Sequence, residues 1–316
     1  MRLIDAAEVR ANLTYEVAIP VVRAAMIAFS SGETRQLLRS ILHFGDGRML
    51  GVMPGALGEA AAFGAKVISV FPKNFAAGLP SHQGVLLLFD PQSGALACVA
   101  DAQEITAIRT AAASAVATDA LARGDAGRLA LLGYGEQADT HLRAISRVRT
   151  LESVTVWGRS PERAAAFAKR AGEELGLAVR VAGTAQAAVA EADIVCTLTP
   201  AAEPILKGAW LAPGAHVNLV GSSFAGPVEV DDDLVVRSRF IADSREGVLN
   251  QGAEFLHARA AGLIGDDHIA GEIGEVLAGT AAGRRSPDEI TVYKSLGHIV
   301  QDLASVQALL AMPQMA

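Results

Sequence analysis

Leu129-Ala-Leu-Leu-Gly-Tyr-Gly-Glu-Gln-Ala138 is the stretch on which the fold turns. An aliphatic run, the pattern of a buried strand, ends in Gly133-x-Gly135-x-x-Ala138, and an amphipathic helical pattern follows. That is the turn that sets a dinucleotide pyrophosphate on a helix N-terminus. The first glycine allows the tight turn and the second lets the backbone approach the phosphates. A small third residue lets helix and strand pack closely. A glycine triplet alone is a weak signal; the strand before it and the helix after it supply the context. Gly133, Tyr134, Gly135, Glu136 and Gln137 are therefore candidate cofactor contacts.

The pattern continues downstream. Ser153–Gly158, Ala178–Ala182, Asp193–Thr199, His216–Gly221 and Arg239–Ser244 read as further buried strands. Helical patterns such as Pro161–Leu175 and Thr184–Ala192 separate most of them. This alternation predicts an α/β fold with an open parallel sheet wound on both faces, its ligand at the carboxyl edge. The end of the second strand selects the cofactor. An NAD enzyme normally has Asp or Glu there for the ribose 2′-hydroxyl. This chain has Gly158-Arg159-Ser160, with Arg163 a turn later. Guanidinium groups and a serine hydroxyl suit a 2′-phosphate, so NADPH is expected to be preferred, with NADH possible. The alternative is that both arginines are solvated charges at a helix start, where cations are not favoured.

With 316 residues, 51% of them hydrophobic, the chain can bury sizeable cores, and two domains are expected. A net charge of −7 gives no general basic surface, so no nucleic-acid partner is expected. No apolar run reaches membrane-spanning length and the N-terminus lacks a signal-peptide core, which predicts a cytoplasmic protein away from membranes. Cys98 and Cys196 lie in apolar strand-like runs and read as reduced, buried thiols. No metal-ligand spacing is present, so no metal is expected.

The segment before Leu129 is a different unit. Asp5–Ser31 is helical in pattern. Leu37–Phe44, Arg48–Met53, Ala61–Phe71, Gly84–Asp90 and Ala95–Ala100 read as strands. Asp46-Gly47 and Ser93-Gly94 are hairpin-like turns, which predicts a largely antiparallel sheet. Ile105–Arg123 is an alanine-rich helix, and a final helix is expected at about Tyr293–Met312. Three cations interrupt apolar segments in this unit: Arg39, Lys66 and Arg109. Each sits where a charge is costly unless paired. A small anionic substrate would supply the pairing, with Arg gripping a carboxylate. Alternatively, each faces solvent from a half-exposed element.

Taken together, these segments resemble the ornithine cyclodeaminase/μ-crystallin family over nearly the whole chain. The matching stretches include Phe29-Ser-Ser-Gly32, Gly51-Val-Met-Pro54, Lys66, Pro80-Ser-His-Gln83 and Ile108-Arg-Thr-Ala-Ala-Ala-Ser-Ala115. Glu203-Pro-Ile-Leu206, Pro213-Gly-Ala-His-Val-Asn218, Ala242-Asp-Ser244 and Lys294-Ser-Leu-Gly297 match as well. The resemblance implies a Rossmann-type domain joined to an α+β substrate and dimerisation domain, hence a homodimer with the active site between the domains. The expected division is 1–115 with 291–316 for the substrate domain and 116–290 for the dinucleotide domain. It implies that Arg39, Lys66 and Arg109 hold a substrate carboxylate. It further implies cofactor contacts at Ser81, His82, Arg109, Thr110, Thr199, Pro200, Val220 and Ser295.

One departure bears on activity. Cyclodeaminases carry Gly-Ala-Asp after the His-x-Asn strand, whereas this chain reads Val220-Gly-Ser-Ser-Phe224, placing Ser223 where the aspartate stands. Serine supplies no carboxylate base near neutral pH. The serine version, with the Gly-Arg-Ser loop, resembles the ketimine-reducing branch. The resemblance therefore implies an NADPH-preferring reductase of a cyclic α-imino acid, Δ1-pyrroline-2-carboxylate or its six-membered homologue. Lys66 would keep the imine protonated and Ser223 would orient the ring nitrogen. The alternatives are a cyclodeaminase or amino-acid dehydrogenase of the same family, and a binding protein without turnover.

Overall fold

The computed structural model describes every residue except Ala60, Gly78, Pro80, Ser81 and 313–316; of Phe75, Ala76, Ala77 and His82 it describes the backbone alone. The chain forms two compact units, Met1–Arg109 with His298–Ala316, and Thr110–Gly297. Among the described residues no single helix is long and apolar enough to cross a membrane.

The first unit opens with β1 (Arg2–Ile4), α1 (Ala6–Asn12) and α2 (Tyr15–Ser30). Then come β2 (Arg35–Gln36), β3 (Ser40–His43), β4 (Met49–Ala56), β5 (Phe63–Val70), β6 (His82–Phe89) and β7 (Leu96–Asp101). The sheet runs β1-β7-β6-β5-β4-β2, with β3 also on β4. It is antiparallel except for the parallel pair β1/β7, as the two hairpin turns predicted. The strand expected over Leu37–Phe44 is interrupted. Gln36 pairs with Gly55 and Ser40 with Val52, so three residues, 37–39, face only two, Met53 and Pro54. Pro54 has no N–H to give the ladder, and the extra residue leaves a bulge. Arg39 lies in that bulge rather than in a strand.

α3 (Ala102–Leu121) crosses from the first unit into the second. The second unit contains β8 (Arg128–Leu132), α4 (Glu136–Ile145), β9 (Ser153–Trp157), α5 (Pro161–Leu175), β10 (Val179–Val181), α6 (Ala185–Val189), β11 (Ile194–Thr197) and β12 (His216–Leu219). It continues with α7 (Asp232–Arg237), β13 (Arg239–Ala242), α8 (Arg245–Gln251), α9 (Ala253–Ala260), β14 (Ile269–Glu272), α10 (Ile273–Leu277) and β15 (Thr291–Lys294). All pairs in its sheet are parallel, in the order β10-β9-β8-β11-β12-β15-β13-β14. This is a Rossmann-type doubly wound sheet, and the strand order reverses beside β8, the position at which sheets of this kind bind their ligands. Leu129, Leu131, Val154, Val156, Ile194 and Cys196 are buried with Ala138 in one of its cores.

In the second unit two strands escaped the sequence reading. β14 is four residues long, and β15 occupies the start of what reads as the final helix. β15 lies between β12 and β13, buried on both sides, so its Thr-Val-Tyr-Lys lacks the alternation that marks a half-exposed strand. The last helix, α11 (Ile299–Ala311), returns to the first unit and packs on β4, β5, β6 and α2. Its close approach is possible because Gly55 and Gly64 are cross-strand partners beneath it. A β-carbon at Gly55 would meet Ile299 at 2.5 Å, and one at Gly64 would come within 3.1 Å of Leu303.

Candidate active site

Several strands of the second unit's sheet end in residues that the sequence singled out. β8 runs into Gly133, β9 into Gly158, β12 into Val220 and β15 into Ser295, and Thr199 lies just past β11. Gly133 has φ of 133°, and a β-carbon there would lie 2.9 Å from the Leu198 carbonyl oxygen, so only glycine fits. Gly135 caps α4 with an ordinary φ of −85°, and its β-carbon direction is open. Glu136 and Gln137 begin α4, so the first backbone N–H groups of that helix face the turn. Tyr134 packs against Gly158, where a β-carbon would come within 2.2 Å of the ring.

The loop after β9 carries the Gly158-Arg159-Ser160 stretch. Ser160 caps α5, accepting from the Arg163 N–H at 3.3 Å, and its hydroxyl donates to Glu162 at 2.9 Å. Its hydroxyl is thus already engaged at the helix N-terminus, at the loop where the Gly-Arg-Ser reading expects an extra donor. Arg159 is exposed on the loop, and Arg163 lies in the first turn of α5.

Beneath the carboxyl edge lies a buried ionic network that sequence reasoning missed. Glu229 accepts from Thr197 Oγ1 (2.7 Å), Thr199 N (2.7 Å), Thr199 Oγ1 (2.8 Å) and Gly221 N (2.7 Å). It ties the ends of β11 and β12 together and holds Thr199 in place. Burial pushes the Glu229 carboxyl up from its ordinary pKa, against the donors that favour its ionised form. Lys294 donates to Glu254 (2.8 Å), to the Ser222 carbonyl (2.6 Å) and to the Ser222 hydroxyl (2.6 Å). Ser222 in turn bonds Glu254. For Glu254, burial pushes the pKa up, but Lys294 outweighs it and holds the carboxyl below its usual range. The loop carrying Ser223, itself half-buried, is thus anchored through its neighbour Ser222. Ser295 is 2% exposed, and its hydroxyl oxygen has no hydrogen-bond partner among the described residues. Thr110 is buried in α3, and Pro200 is exposed after β11.

In the first unit, two of the three predicted cations come together. Lys66 and Arg109 are 3% and 4% exposed, and both pair with Asp302 on α11. Lys66 Nζ donates to Oδ2 at 2.8 Å and Arg109 Nε to Oδ1 at 2.9 Å; Arg109 Nη1 also donates to Gln301 at 2.9 Å. The pairing that the sequence left to a substrate is therefore partly internal. Asp302, missed at first, has a signal in hindsight: a lone acid in the apolar helix Ile299–Ala311 needs a cation. Burial lowers the Lys66 pKa to about 8, with Asp302 opposing and Arg109 and Arg39 assisting. Arg39, half-buried in the bulge, thus lies within electrostatic reach of Lys66. Ser81 and the side chain of His82 lie outside the described residues.

A profile of the ornithine cyclodeaminase/mu-crystallin family matches residues 2–310. The chain belongs to that family. It is 37% identical over 309 residues to the ketimine reductase mu-crystallin of Mus musculus, covering 96% of this chain and 95% of the relative. It is 38% identical to the Delta(1)-pyrroline-2-carboxylate reductase of Paracoccus denitrificans over 78% of each chain. Among solved structures, the Thermococcus litoralis Delta(1)-pyrroline-2-carboxylate reductase, in complex with NADH and L-proline, superposes with a TM-score of 0.94. That match has 34% identity and covers 98% of this chain and 96% of the other.

The edge built by this family member fits a nicotinamide dinucleotide. The Gly133–Gly135 turn leaves open space at the N-terminus of α4, and the orphaned Ser295 hydroxyl is a buried polar atom that a carboxamide would satisfy.

Proposed function

We propose that the protein is an imine reductase that converts Δ1-pyrroline-2-carboxylate to L-proline, and its six-membered homologue Δ1-piperideine-2-carboxylate to L-pipecolate. The observation that carries this reading is the match over nearly the full length of the chain to a reductase whose structure holds NADH and L-proline. Two local features support it. Lys66 and Arg109 share one carboxylate, which leaves a net positive charge suited to an α-imino acid carboxylate. Position 223 is serine, so the loop after β12 brings no carboxylate base there.

The residues act by positioning. Arg109, Lys66 and Arg39 hold the substrate carboxylate and fix the ring. Lys66, with a pKa near 8, keeps a proton available to the ring nitrogen, so that C2 remains electrophilic. Ser223 orients that nitrogen. Thr199, Val220 and Ser295 hold the cofactor's nicotinamide end, the α4 N-terminus takes its pyrophosphate, and Arg109, Thr110, Ser81 and His82 complete its contacts. A reduced nicotinamide supplies the hydride when bound. The preferred cofactor in this reading is NADPH, with Arg159 and Arg163 providing the charge for the 2′-phosphate.

The assembly is a homodimer in this reading. One face of the first unit's sheet is covered by α11; the other presents Val52, Pro54, Ala65, Val67, Val85, Leu87 and Val99, all apolar and partly exposed. An apolar face of this extent calls for a partner surface. A reducing, cytoplasmic setting accords with Cys98 and Cys196, both free and buried.

The test is a panel of Δ1-pyrroline-2-carboxylate, Δ1-piperideine-2-carboxylate and L-ornithine with NADPH and NADH. Reduction of the imines with the lower KM for NADPH is expected. Ammonia release from ornithine at a rate matching imine reduction would overturn the assignment.

A further inference from the structure

Lys66, Arg109 and Asp302 carry two positive charges and one negative, all buried. A closed structural ion pair balances; this group does not, and Arg39 adds further positive potential. An uncompensated charge in such a place is costly unless a second anion arrives. The first anion is delivered with unusual definition. α11 sits on the glycine pair Gly55/Gly64, which lets Asp302 place one carboxylate oxygen on each cation. Gln301, its chain neighbour, takes Arg109 Nη1, and among the described residues Nη2 has no side-chain partner.

We propose that Asp302 is a positioning residue for the reaction: it holds Lys66 and Arg109 as one preassembled unit with a single positive charge in excess, ready for the substrate carboxylate. This rests on the imine-reductase reading and specifies how its carboxylate site is set. Asp302 acts through the two cations that it binds.

The consequence is a pH signature. The groups that face Lys66 are Asp302 on α11, Arg109 and Thr106 on α3, and Arg39 in the bulge before β3. Its cross-strand neighbours, Met53 and Leu86, are apolar. Asp302 is the one carboxylate among these, and it keeps the Lys66 proton in place. Its loss makes Lys66 deprotonate at lower pH.

The experiment compares the unmutated protein with Asp302→Asn and Asp302→Glu, measuring kcat/KM for Δ1-pyrroline-2-carboxylate against pH at saturating NADPH. The substrate's own titration is common to all three. Asp302→Asn should lose about tenfold or more in kcat/KM at neutral pH and move the alkaline limb down by about one pH unit or more. Asp302→Glu keeps the charge, so its alkaline limb should stay in place while kcat falls; it also serves if the asparagine variant does not fold. A lower rate with an unmoved limb in Asp302→Asn means a purely structural role and overturns the inference, as does a glutamate variant whose limb moves. Unchanged rate and limb in Asp302→Asn overturn this inference alone. No imine reduction by the unmutated protein overturns both this inference and the functional reading.

Discussion

Lys294 and Glu254 have no solvent exposure, and Ser222 completes their hydrogen bonds. Removing one partner leaves the other as a buried, uncompensated charge. Lys294→Met should cost about 3–5 kcal/mol in urea unfolding, and adding Glu254→Leu should restore a large part of it. The Glu254 pKa is held below its ordinary value in the fold. Its contribution is therefore present above the unfolded value of about 4.3 and is lost as pH falls through the folded value. A Lys294→Met penalty that stays constant down to acid pH would contradict this account. At the cofactor loop, Ser160 is used as a helix cap, and the proposed NADPH preference is tested at the arginines. Arg159→Ala should raise KM for NADPH by about tenfold or more and leave NADH nearly unchanged. Equal effects on both cofactors would remove Arg159 from the phosphate site.

Between strand and helix, the two glycines of the dinucleotide turn have separable jobs. Gly133 needs its positive φ and has a carbonyl oxygen where a side chain would go. Gly133→Ala should therefore destabilise the fold by at least about 1–2 kcal/mol, visible in thermal unfolding. Gly135 has an ordinary φ and open space beside it. Gly135→Ala should leave stability within about 0.5 kcal/mol yet weaken dinucleotide binding by about tenfold, since the methyl enters the space meant for phosphate. Equal stability losses in the two variants would argue against that division. The same scale shows where sequence patterns fall short. The β8–turn–α4 unit was legible because a strand period, two glycines and a helix period follow one another. The bulge at 37–39 was not, because its cause, Pro54, lies on the neighbouring strand. β15 was not legible either, since a strand buried on both sides in the middle of a sheet has no polar face to reveal its period.

For the molecule as a whole, the apolar outer face of the first unit's sheet is the feature to test. Leu87 lies on it, opposite Ala65 and Val99. If the proposed homodimer forms through this face, the unmutated protein should sediment as a dimer and Leu87→Glu as a monomer with NADPH binding intact; the same sedimentation coefficient for both would rule this face out as an interface. The sequence by itself determined the Rossmann-type sheet, the antiparallel first sheet and the residues at the carboxyl edge. These rest on local periodicity and turn chemistry, which act within a few residues of chain. It also marked Lys66 and Arg109 as cations in apolar surroundings. What only the tertiary structure decided is what those cations face. Asp302 lies 236 residues from Lys66 in the chain and 193 from Arg109. Glu229 and Glu254 likewise reach their partners only once strand ends and helices have packed. A buried charge announces that it needs a partner, but the partner is chosen by packing between elements distant in sequence, and no local pattern encodes that choice.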